Sequence, residues 1–223
     1  MYLFFKRIFD LFFSCFLILL FSSIIIVIIL VLLFFNKGDV FFAQERVGYK
    51  NKMFRIIKFS SMLRNSKDLP GGTITLRNDP RVSKIGKFLR ITKLNELPQL
   101  FNVLIGNMSF VGPRPLLTEG FSWYSDDVKD IILNLKPGIT GISSIVFRDE
   151  EKIVTEASVG PEEFYKSRIF PYKGQLEKWY FENKTFSLDL MILFITGIKV
   201  IVPRINFEFR LFASIPKSEY FKF

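Results

Sequence analysis

The sequence predicts a mainly helical α+β protein, with a membrane-embedded helix at its N-terminus followed by one compact domain. Three observations predict this class. A run of 25 uncharged residues extends from Leu11 to Phe35. Several later segments repeat apolar residues at helical spacing, and one segment directly behind the run alternates in the manner of short strands. We therefore expect a membrane anchor over residues 1–37 and a cytosolic domain over residues 38–223.

The composition limits the classes of partner and of chemistry. The chain is 49% hydrophobic, contains 28 phenylalanines and carries a net charge of +10. This combination favours an anionic, partly apolar partner, such as membrane lipid head groups or a lipid phosphate. Nucleic acid is the other common partner of basic proteins, but no dense basic helix, RNA-binding aromatic motif or zinc-ligand spacing is present, so we expect none.

Histidine is absent and Cys15 is the only cysteine in the chain. These counts exclude histidine catalysis, a Ser-His triad and a zinc site built from histidine and cysteine. Acid-base or metal chemistry must therefore use Asp, Glu, Lys or Tyr. A single cysteine inside an apolar run also favours the reducing, cytosolic side of a membrane.

The apolar run is long enough for an anchor, because 25 helical residues reach about 37 Å and a bilayer core is about 30 Å thick. Basic residues precede and follow the run. Because basic flanks favour the cytosol, two topologies remain open. The helix either spans the membrane once, or it enters, bends and returns as a re-entrant hairpin. Ser22 and Ser23 are the polar pair at which such a bend is expected.

The remaining elements are predicted from periodicity and from turn residues. Residues 40–62 favour short strands or an extended loop, with Gly48 as a turn signal, and residues 69–86 are rich in loop signals. Helices are predicted over residues 87–104, with Pro98 bending or starting a piece, and then over residues 116–135 and 161–182, the last around Pro171. We expect amphipathic helices at the membrane interface over residues 187–202, with Lys199 at the head groups, and over the tail 205–215. Ordinary core elements are the alternative for both.

One segment contains the residues most suited to phosphate chemistry. Glu96 is a candidate catalytic residue or Mg²⁺ ligand, since a hard cation prefers carboxylate and phosphate oxygens. Arg114 lies between Pro113 and Pro115, which restrict its backbone, and Arg90 precedes Glu96 by six residues. Arginine suits bidentate phosphate binding. An exposed helix carboxylate, a rigid surface turn and a solvated arginine are the corresponding structural alternatives.

Seven motifs in a fixed order give the chain a resemblance to a known family. They are "KRIFD" (6–10), "FAQERVG" (42–48), "FRIIKFSSM" (54–62), "NDPRVSKIGKFLR" (78–90), "LNELPQLFNVLIGNMSFVGPRP" (94–115), "KPGITG" (136–141) and "FSLDL" (186–190). In this order behind an apolar anchor, they resemble the bacterial sugar transferase family, the small monotopic phosphoglycosyl transferases.

The resemblance implies an enzyme on the cytosolic face of the bacterial inner membrane. Such enzymes transfer a sugar-1-phosphate from a UDP-sugar to polyprenyl (undecaprenyl) phosphate and release UMP, in the first membrane step of surface glycan assembly. The family uses Mg²⁺ and an adjacent Asp-Glu pair, whose aspartate attacks the β-phosphorus to form a covalent phospho-sugar. Membrane lipid and downstream glycosyltransferases are the further partners that it implies.

The resemblance also assigns roles by motif position. Glu96 matches the glutamate of the pair and the metal ligand, Arg90 matches the catalytic arginine before the pair, and Arg114, between Pro113 and Pro115, matches the arginine that holds phosphate. Three further positions match substrate-binding residues of the family: Lys58, Arg148 and Asp189.

The chain departs from the family pattern in three places. Asn95 occupies the nucleophile position, Ser22-Ser23 replaces the helix-breaking Ser-Pro, and Ser60 replaces a second basic residue after Lys58. Because a carboxamide is a poor nucleophile, several possibilities stay open. The enzyme is active without a nucleophile at residue 95, through attack by Glu96 or directly by the lipid phosphate. Another carboxylate enters the site, either Asp79 or the cluster of residues 149–151. Alternatively, the chain is a catalytically impaired homologue that binds substrates or acts as a scaffold.

Overall fold

The computed structural model describes residues 1–36, 38–66, 74–202, 211–212, 214–218 and 220–221. The helices are α1 (Tyr2–Leu20), α2 (Ser22–Phe35), α3 (Lys84–Ile91), α4 (Gln99–Leu104), α5 (Thr118–Ser122), α6 (Asp126–Leu133), α7 (Ile142–Val146), α8 (Glu150–Thr155), α9 (Pro161–Phe164), α10 (Phe170–Asn183) and α11 (Phe186–Ile201). The strands are β1 (Phe41–Val47), β2 (Met53–Phe59), β3 (Ser109–Val111) and β4 (Gly138–Thr140). The prediction of a mainly helical α+β fold is confirmed.

The apolar N-terminal run forms two helices rather than one. Helices α1 and α2 meet at Phe21 and bend by 61°. Next to the bend, the Ser22 hydroxyl donates to the Leu19 carbonyl oxygen at 2.8 Å. Within residues 1–36 the straight helix required by a simple span is therefore not observed. No single described helix is long and apolar enough to cross a bilayer, whereas the bent pair passes that test together on length and composition.

Charged residues of the "KRIFD" segment fasten α1 to the rest of the fold. Arg7 donates to the carbonyl oxygens of Val103 (2.7 Å) and Leu104 (2.8 Å) at the end of α4. Asp10 accepts hydrogen bonds from the Ser109 hydroxyl and the Phe110 amide of β3, each at 3.1 Å. Helix ends leave carbonyl groups without partners, and buried charges need partners, so each of these contacts satisfies a specific requirement.

The predicted strands over residues 40–62 are confirmed as an antiparallel hairpin of β1 and β2, in the register Gln44↔Ile56. Asn102 on α4 binds the outer edge of β2, because its Oδ1 accepts from the Ile57 amide at 3.0 Å and its Nδ2 donates to the Arg55 carbonyl at 2.8 Å. This side chain fixes the hairpin against α4. Because α4 is held against β2, the segment directly before α4 also lies close to β2.

Two short parallel strands hold the Pro-Arg-Pro segment. Strands β3 and β4 pair through Ser109↔Gly138 and Val111↔Thr140. The backbones then continue in close contact, because the Gly138 amide donates to the Pro113 carbonyl at 2.8 Å. A Cβ on Gly112 would lie 2.2 Å from the Lys136 carbonyl oxygen, so a side chain at residue 112 does not fit. The loop carrying Arg114 therefore has a fixed backbone.

The main core lies among α4, β3, α7, α10 and α11. Its completely buried residues include Val103, Met108, Leu176, Ile192 and Ile195. A second, smaller cluster packs α2 against β2 and α3 through residues Ile28, Leu32, Phe59 and Leu89.

The predicted later helices are observed, in shorter pieces. Residues 87–104 divide into α3 and α4, with Pro98 directly before α4, and residues 116–135 divide into α5 and α6. Residues 161–182 form α9, a π turn (Tyr165–Ile169) and α10, which has Pro171 in its first turn.

Helix α11 has one buried and one exposed apolar face. Ile192 and Ile195 are fully buried, whereas Phe194 is 67% exposed and Ile201 is 81% exposed. The prediction that Lys199 lies at the head groups is wrong, because its side chain is buried and donates to the Ile145 carbonyl at 3.1 Å. Residues 67–73 of the predicted loop region, and most of the predicted helix over residues 205–215, lie outside the described residues.

Candidate active site

The carboxylate of Glu96 is held by two cations from different parts of the fold. Glu96 ends a 3₁₀ turn (Leu94–Glu96) between α3 and α4. Its Oε1 accepts hydrogen bonds from Arg114 Nη2 at 2.7 Å and from Lys58 Nζ at 3.1 Å. The side chain of Glu96 is only 13% exposed. Three residues predicted from two motifs therefore meet at one oxygen atom.

Local backbone geometry explains where Glu96 points. Lys93 adopts a left-handed conformation (φ 60°, ψ 9°), which ends the path of α3 and turns the chain into the 3₁₀ turn. Pro98 then lies directly before α4, where its missing amide hydrogen costs nothing. Lys93 and Pro98 thus interrupt the helical path between α3 and α4. Glu96, which lies between them, therefore points towards β2 and the Pro-Arg-Pro loop.

The three charges shift one another's pKa values. Burial alone raises the pKa of Glu96, but Arg114, Lys58 and Lys93 outweigh it and hold that pKa well below its usual value. Burial lowers the pKa of Lys58 to about 8, against the opposing attraction of Glu96. The charge of Glu96 raises the pKa of Arg114. At neutral pH the site therefore combines an ionised carboxylate with cations that are still largely protonated.

Arg46 joins this cluster, although the sequence analysis did not select it. Its Nη2 donates to Gln44 Oε1 at 2.6 Å, and its buried Nε has no hydrogen-bond partner among the described residues. Burial and the nearby Arg114 lower the pKa of Arg46 to about 10, while Glu96 raises it. The missed signal was the hairpin register, because alternate residues of β1 share one face. Phe42, which pairs with Lys58, therefore lies on the same face as Arg46.

Lys93 is a second residue that the sequence analysis did not select. Its pKa is lowered by desolvation and by Arg114, and it is raised by Glu96. Arg148 and Glu151 also act on it electrostatically. Lys93 is therefore coupled electrostatically both to the Glu96 cluster and to charged residues that follow α7. It forms no ion pair with any residue in the described ranges.

The other predicted site residues lie at different distances from this cluster. Arg90 contacts Thr75 Oγ1 at 3.4 Å and Glu151 Oε1 at 3.8 Å rather than Glu96. Arg148 is half-buried, and desolvation lowers its pKa. Pro113 and Pro115 are buried on either side of Arg114. None of the hydrogen bonds or ion pairs between described residues joins Arg90 or Arg148 to Glu96, and the roles assigned to these residues stay predictions.

Asp189 belongs to a different buried network. Its carboxylate accepts from Tyr2 at 2.8 Å and from Tyr180 at 2.6 Å, and it forms an ion pair with Lys6. These contacts link α1, α10 and α11. The substrate-binding role predicted for Asp189 has no counterpart in them, since both of its oxygens are engaged within the fold.

Asn95 is buried beside Glu96 and lacks a hydrogen-bond partner for Oδ1 among the described residues. The same holds for Nε2 of Gln99, which begins α4. Buried polar atoms are rarely left unpaired, and such groups often lie where a ligand or water completes the site. The unpaired Oδ1 of Asn95, the residue before Glu96, is therefore a place where a bound polar group is expected.

The carboxylates considered as substitutes for residue 95 are paired with cations. Asp79 binds Arg81, with a closest distance of 2.6 Å. In the 149–151 cluster, Glu150 lies 2.6 Å from Lys173, and longer pairs join Asp149 to Arg77 (3.9 Å) and Glu151 to Arg90 (3.8 Å).

The donor atoms are compatible with Mg²⁺. No group of three His, Cys, Asp or Glu side chains suited to a metal occurs in the described part of the chain. Mg²⁺, however, is usually held by one or two carboxylates together with substrate phosphates and water. Within the described residues, Glu96 uses Oε1 for both hydrogen bonds and leaves Oε2 available, and the Oδ1 of Asn95, the preceding residue in the chain, is unpartnered.

Comparison with known proteins gives consistent matches. The model of a family described as "Bacterial sugar transferase" matches residues 1–203. The "Undecaprenyl-phosphate galactose phosphotransferase" of Salmonella typhimurium is 36% identical over 181 residues, which cover 75% of this chain and 34% of that protein.

Two further relatives differ in length. The "UDP-glucose:undecaprenyl-phosphate glucose-1-phosphate transferase" of Klebsiella pneumoniae is 37% identical over 200 residues, covering 87% of this chain and 40% of that protein. The "Uncharacterized sugar transferase EpsL" of Bacillus subtilis is 36% identical over 197 residues, covering 88% and 87%. The chain thus spans about a third of the length of the Salmonella relative and most of the Bacillus relative.

Proposed function

Since the chain belongs to the bacterial sugar transferase family, we propose that it transfers a sugar-1-phosphate from a UDP-sugar to polyprenyl (undecaprenyl) phosphate. The products are a polyprenyl-diphospho-sugar and UMP, and the reaction begins the membrane stage of surface glycan assembly. The names of two relatives, from Salmonella typhimurium and Klebsiella pneumoniae, support this substrate class.

The observation that carries the proposal is the excess of cations around Glu96. Arg114 and Lys58 contact its carboxylate, and Arg46 and Lys93 act on the same group electrostatically. Four cations around one carboxylate leave a surplus of positive charge for an anionic ligand. Phosphoryl transfer depends mainly on positioning and on neutralising charge, and a diphosphate is the ligand that such a surplus suits.

Mg²⁺ belongs to the same proposal. Glu96 Oε2 and Asn95 Oδ1 are the atoms of this chain that would hold it, together with phosphate oxygens of the donor. Bound there, it supplies Lewis-acid neutralisation of the diphosphate. Arg114 and Lys58 orient the carboxylate, since their hydrogen bonds fix Oε1.

We place the protein at the cytosolic face of the bacterial inner membrane, with residues 1–37 as its anchor and residues 38–223 as the catalytic domain. The bent pair of α1 and α2 suits a re-entrant hairpin, because its 61° bend allows both ends to return to one face. The exposed apolar residues of α11, such as Phe194 and Ile201, suit contact with membrane lipid. Downstream glycosyltransferases that extend the lipid-linked sugar are the further partners expected from this function.

A panel of donors tests the function. Membranes containing the protein are incubated with polyprenyl phosphate, Mg²⁺ and each of several labelled UDP-sugars. One donor is expected to give a labelled lipid and UMP, whereas membranes containing the Glu96→Gln variant give neither. Absence of labelled lipid with every donor would contradict the proposal.

The second candidate, a binding or scaffold protein, is favoured by one observation, the amide at residue 95. Equilibrium binding separates the two functions. If labelled UDP-sugars bind to the detergent-purified protein, but the protein does not convert them when polyprenyl phosphate is added, the scaffold function replaces the transferase.

A further inference from the structure

We propose that this chain transfers the phospho-sugar in a single displacement, in which the lipid phosphate attacks the donor directly and no covalent phospho-sugar enzyme forms. The inference rests on the proposed function, and it concerns the number of chemical steps at the Glu96 site. Four structural observations lead to it, and each concerns Glu96 or charged and polar residues considered for the same site.

The first observation is the nature of residue 95. Asn95 is buried next to Glu96, and its Oδ1 has no hydrogen-bond partner among the described residues. A carboxamide oxygen carries no full negative charge, and its nitrogen lone pair is delocalised. It therefore lacks the reactivity that a covalent nucleophile requires.

The second observation is that the carboxylate of Glu96 is already hydrogen-bonded to two cations. Arg114 Nη2 and Lys58 Nζ both donate to Oε1, at 2.7 Å and 3.1 Å. A carboxylate bound by two charge-assisted hydrogen bonds is stabilised in its ground state and held in one orientation. Attack on phosphorus would weaken both bonds. Glu96 is therefore suited to orient cations or hold Mg²⁺, and not to take over the role of nucleophile.

The third observation concerns the other carboxylates near the site. Glu150 lies 2.6 Å from Lys173, and Glu151 pairs with Arg90 at 3.8 Å. Asp79 is bound by Arg81 through both of its oxygens. In the described part of the chain, none of these candidates stands unpaired beside Glu96.

The fourth observation is that the site offers positive charge for a second phosphate. Arg114 keeps 40% of its side chain exposed while it binds Glu96, and the buried Nε of Arg46 has no hydrogen-bond partner among the described residues. A single displacement needs the donor diphosphate and the acceptor phosphate to be bound together. Because Asn95 is neutral, it adds no repulsion against the second anion.

The reaction balances without any group of the protein changing covalently. An oxygen of the polyprenyl phosphate dianion forms a bond to the β-phosphorus of the UDP-sugar. The bond between that phosphorus and the oxygen bridging to the α-phosphorus breaks, and the bridging oxygen leaves with the electron pair as part of UMP. The sugar stays bonded to its phosphate throughout.

Isotope exchange tests the inference directly. A covalent mechanism releases UMP before the acceptor binds, so it exchanges labelled UMP into UDP-sugar without polyprenyl phosphate. The purified protein is incubated with the active UDP-sugar and labelled UMP, with and without polyprenyl phosphate. We expect exchange only with the acceptor present, at a rate at least about 100-fold above the rate without it.

The Asn95→Asp variant is the matched comparison. It restores a carboxylate at the nucleophile position, and we expect it to catalyse UMP exchange in the absence of acceptor. With a donor labelled in its sugar, we expect it also to yield a labelled phospho-sugar adduct on the protein. Exchange by the wild-type chain without acceptor, at a rate comparable to its turnover, would overturn the inference.

A stereochemical measurement gives an independent answer. With a chiral β-phosphorothioate donor, a single displacement inverts the configuration at phosphorus, whereas two successive displacements retain it. Inversion is expected for the wild-type chain, and retention would overturn the inference. Failure of the proposed function is distinguishable, since it removes labelled lipid in every reaction with acceptor and not only the exchange pattern.

Discussion

Arg114 Nη2 lies 2.7 Å from Oε1 of Glu96, although 18 positions separate the two residues in the chain. The contact depends on two backbone devices, the 3₁₀ turn that carries Glu96 and the β3–β4 pair that holds the Pro-Arg-Pro loop. The pair organises the proposed diphosphate site, because Glu96 aims a guanidinium that also remains accessible to a ligand. The side chain of Arg114 is 40% exposed.

Replacement of Glu96 by Gln is expected to lower turnover at least about 100-fold, the effect typical of losing a preorganised electrostatic group. Glutamine keeps the shape but removes the charge that orients Arg114 and Lys58 and that would hold Mg²⁺. Turnover of UDP-sugar by detergent-purified protein is the measurement. Glu45→Gln is the matched control, since Glu45 is exposed and its ion pair among the described residues is a long one, 4.0 Å to Arg55. Equal rates for the two variants would remove Glu96 from the mechanism.

Replacement of Arg114 by Lys is expected to lower kcat/KM for the UDP-sugar about 10- to 100-fold. Lysine keeps the charge but loses the planar fork, and a hydrogen bond to a charged group contributes about 1.5–3 kcal/mol. Steady-state kinetics with a varied donor concentration measure the effect. Arg55→Lys provides the control, because Arg55 is 74% exposed. Near wild-type kinetics in Arg114→Lys would show that charge alone suffices at this position.

Replacement of Asp189 by Ala is expected to destabilise the fold by about 3–5 kcal/mol, because it leaves the ammonium of Lys6 buried without its partner. Binding of UDP-sugar by the fraction that remains folded is expected to stay near the wild-type value. Thermal unfolding and equilibrium binding in detergent measure the two effects. The double variant Lys6→Met, Asp189→Leu is expected to recover much of the stability. A stable Asp189→Ala protein with a large loss of donor affinity would instead support the substrate-binding role that the sequence suggested.

The free energy of unfolding is expected to fall as the pH rises from about 4.5 to about 7, through Glu177. Burial raises the pKa of this residue from 4.5 to about 7, against the opposing effects of Ser143 and Lys173. The folded state binds a proton over this range that the unfolded state has released, so stability is greater below it and is lost as the pH passes about 7. The loss is on the order of 3 kcal/mol.

Thermal unfolding of the wild-type chain and of Glu177→Gln between pH 5 and 8 measures this contribution. The variant is expected to be the more stable of the two above pH 7, and the difference is expected to shrink towards pH 5. The exposed Glu182→Gln variant is the control for a charge change on the same helix. A pH-independent difference would contradict the assignment to Glu177.

The sequence predicted local features well, because their causes are local. A proline favours the start of a helix, and Pro98 lies directly before α4. The alternating residues around Gly48 predicted strands, and the structure contains the β1–β2 hairpin there. Glu96, Arg114 and Lys58 were selected from motifs, and the structure brings them together.

The remaining features depend on tertiary contacts. The position of Lys199 in an apolar helix predicted a contact with lipid head groups, but its ammonium donates a hydrogen bond to the Ile145 carbonyl inside the fold. Arg46 and Lys93 looked like flanking charges, since only the hairpin register and the left-handed turn bring them to Glu96. Asp189 contacts Tyr2 and Lys6, which lie more than 180 positions away in the chain, and also Tyr180. No local sequence pattern could have predicted these contacts.

The ratio of products tests the central claim most directly. Purified protein with one active labelled UDP-sugar, Mg²⁺ and polyprenyl phosphate is followed for both UMP and labelled lipid. Transfer predicts one polyprenyl-diphospho-sugar for each UMP released, and neither product from the Glu96→Gln variant. UMP release without labelled lipid, or no release with any donor, would contradict the account of Glu96 as the centre of a phospho-sugar transfer site.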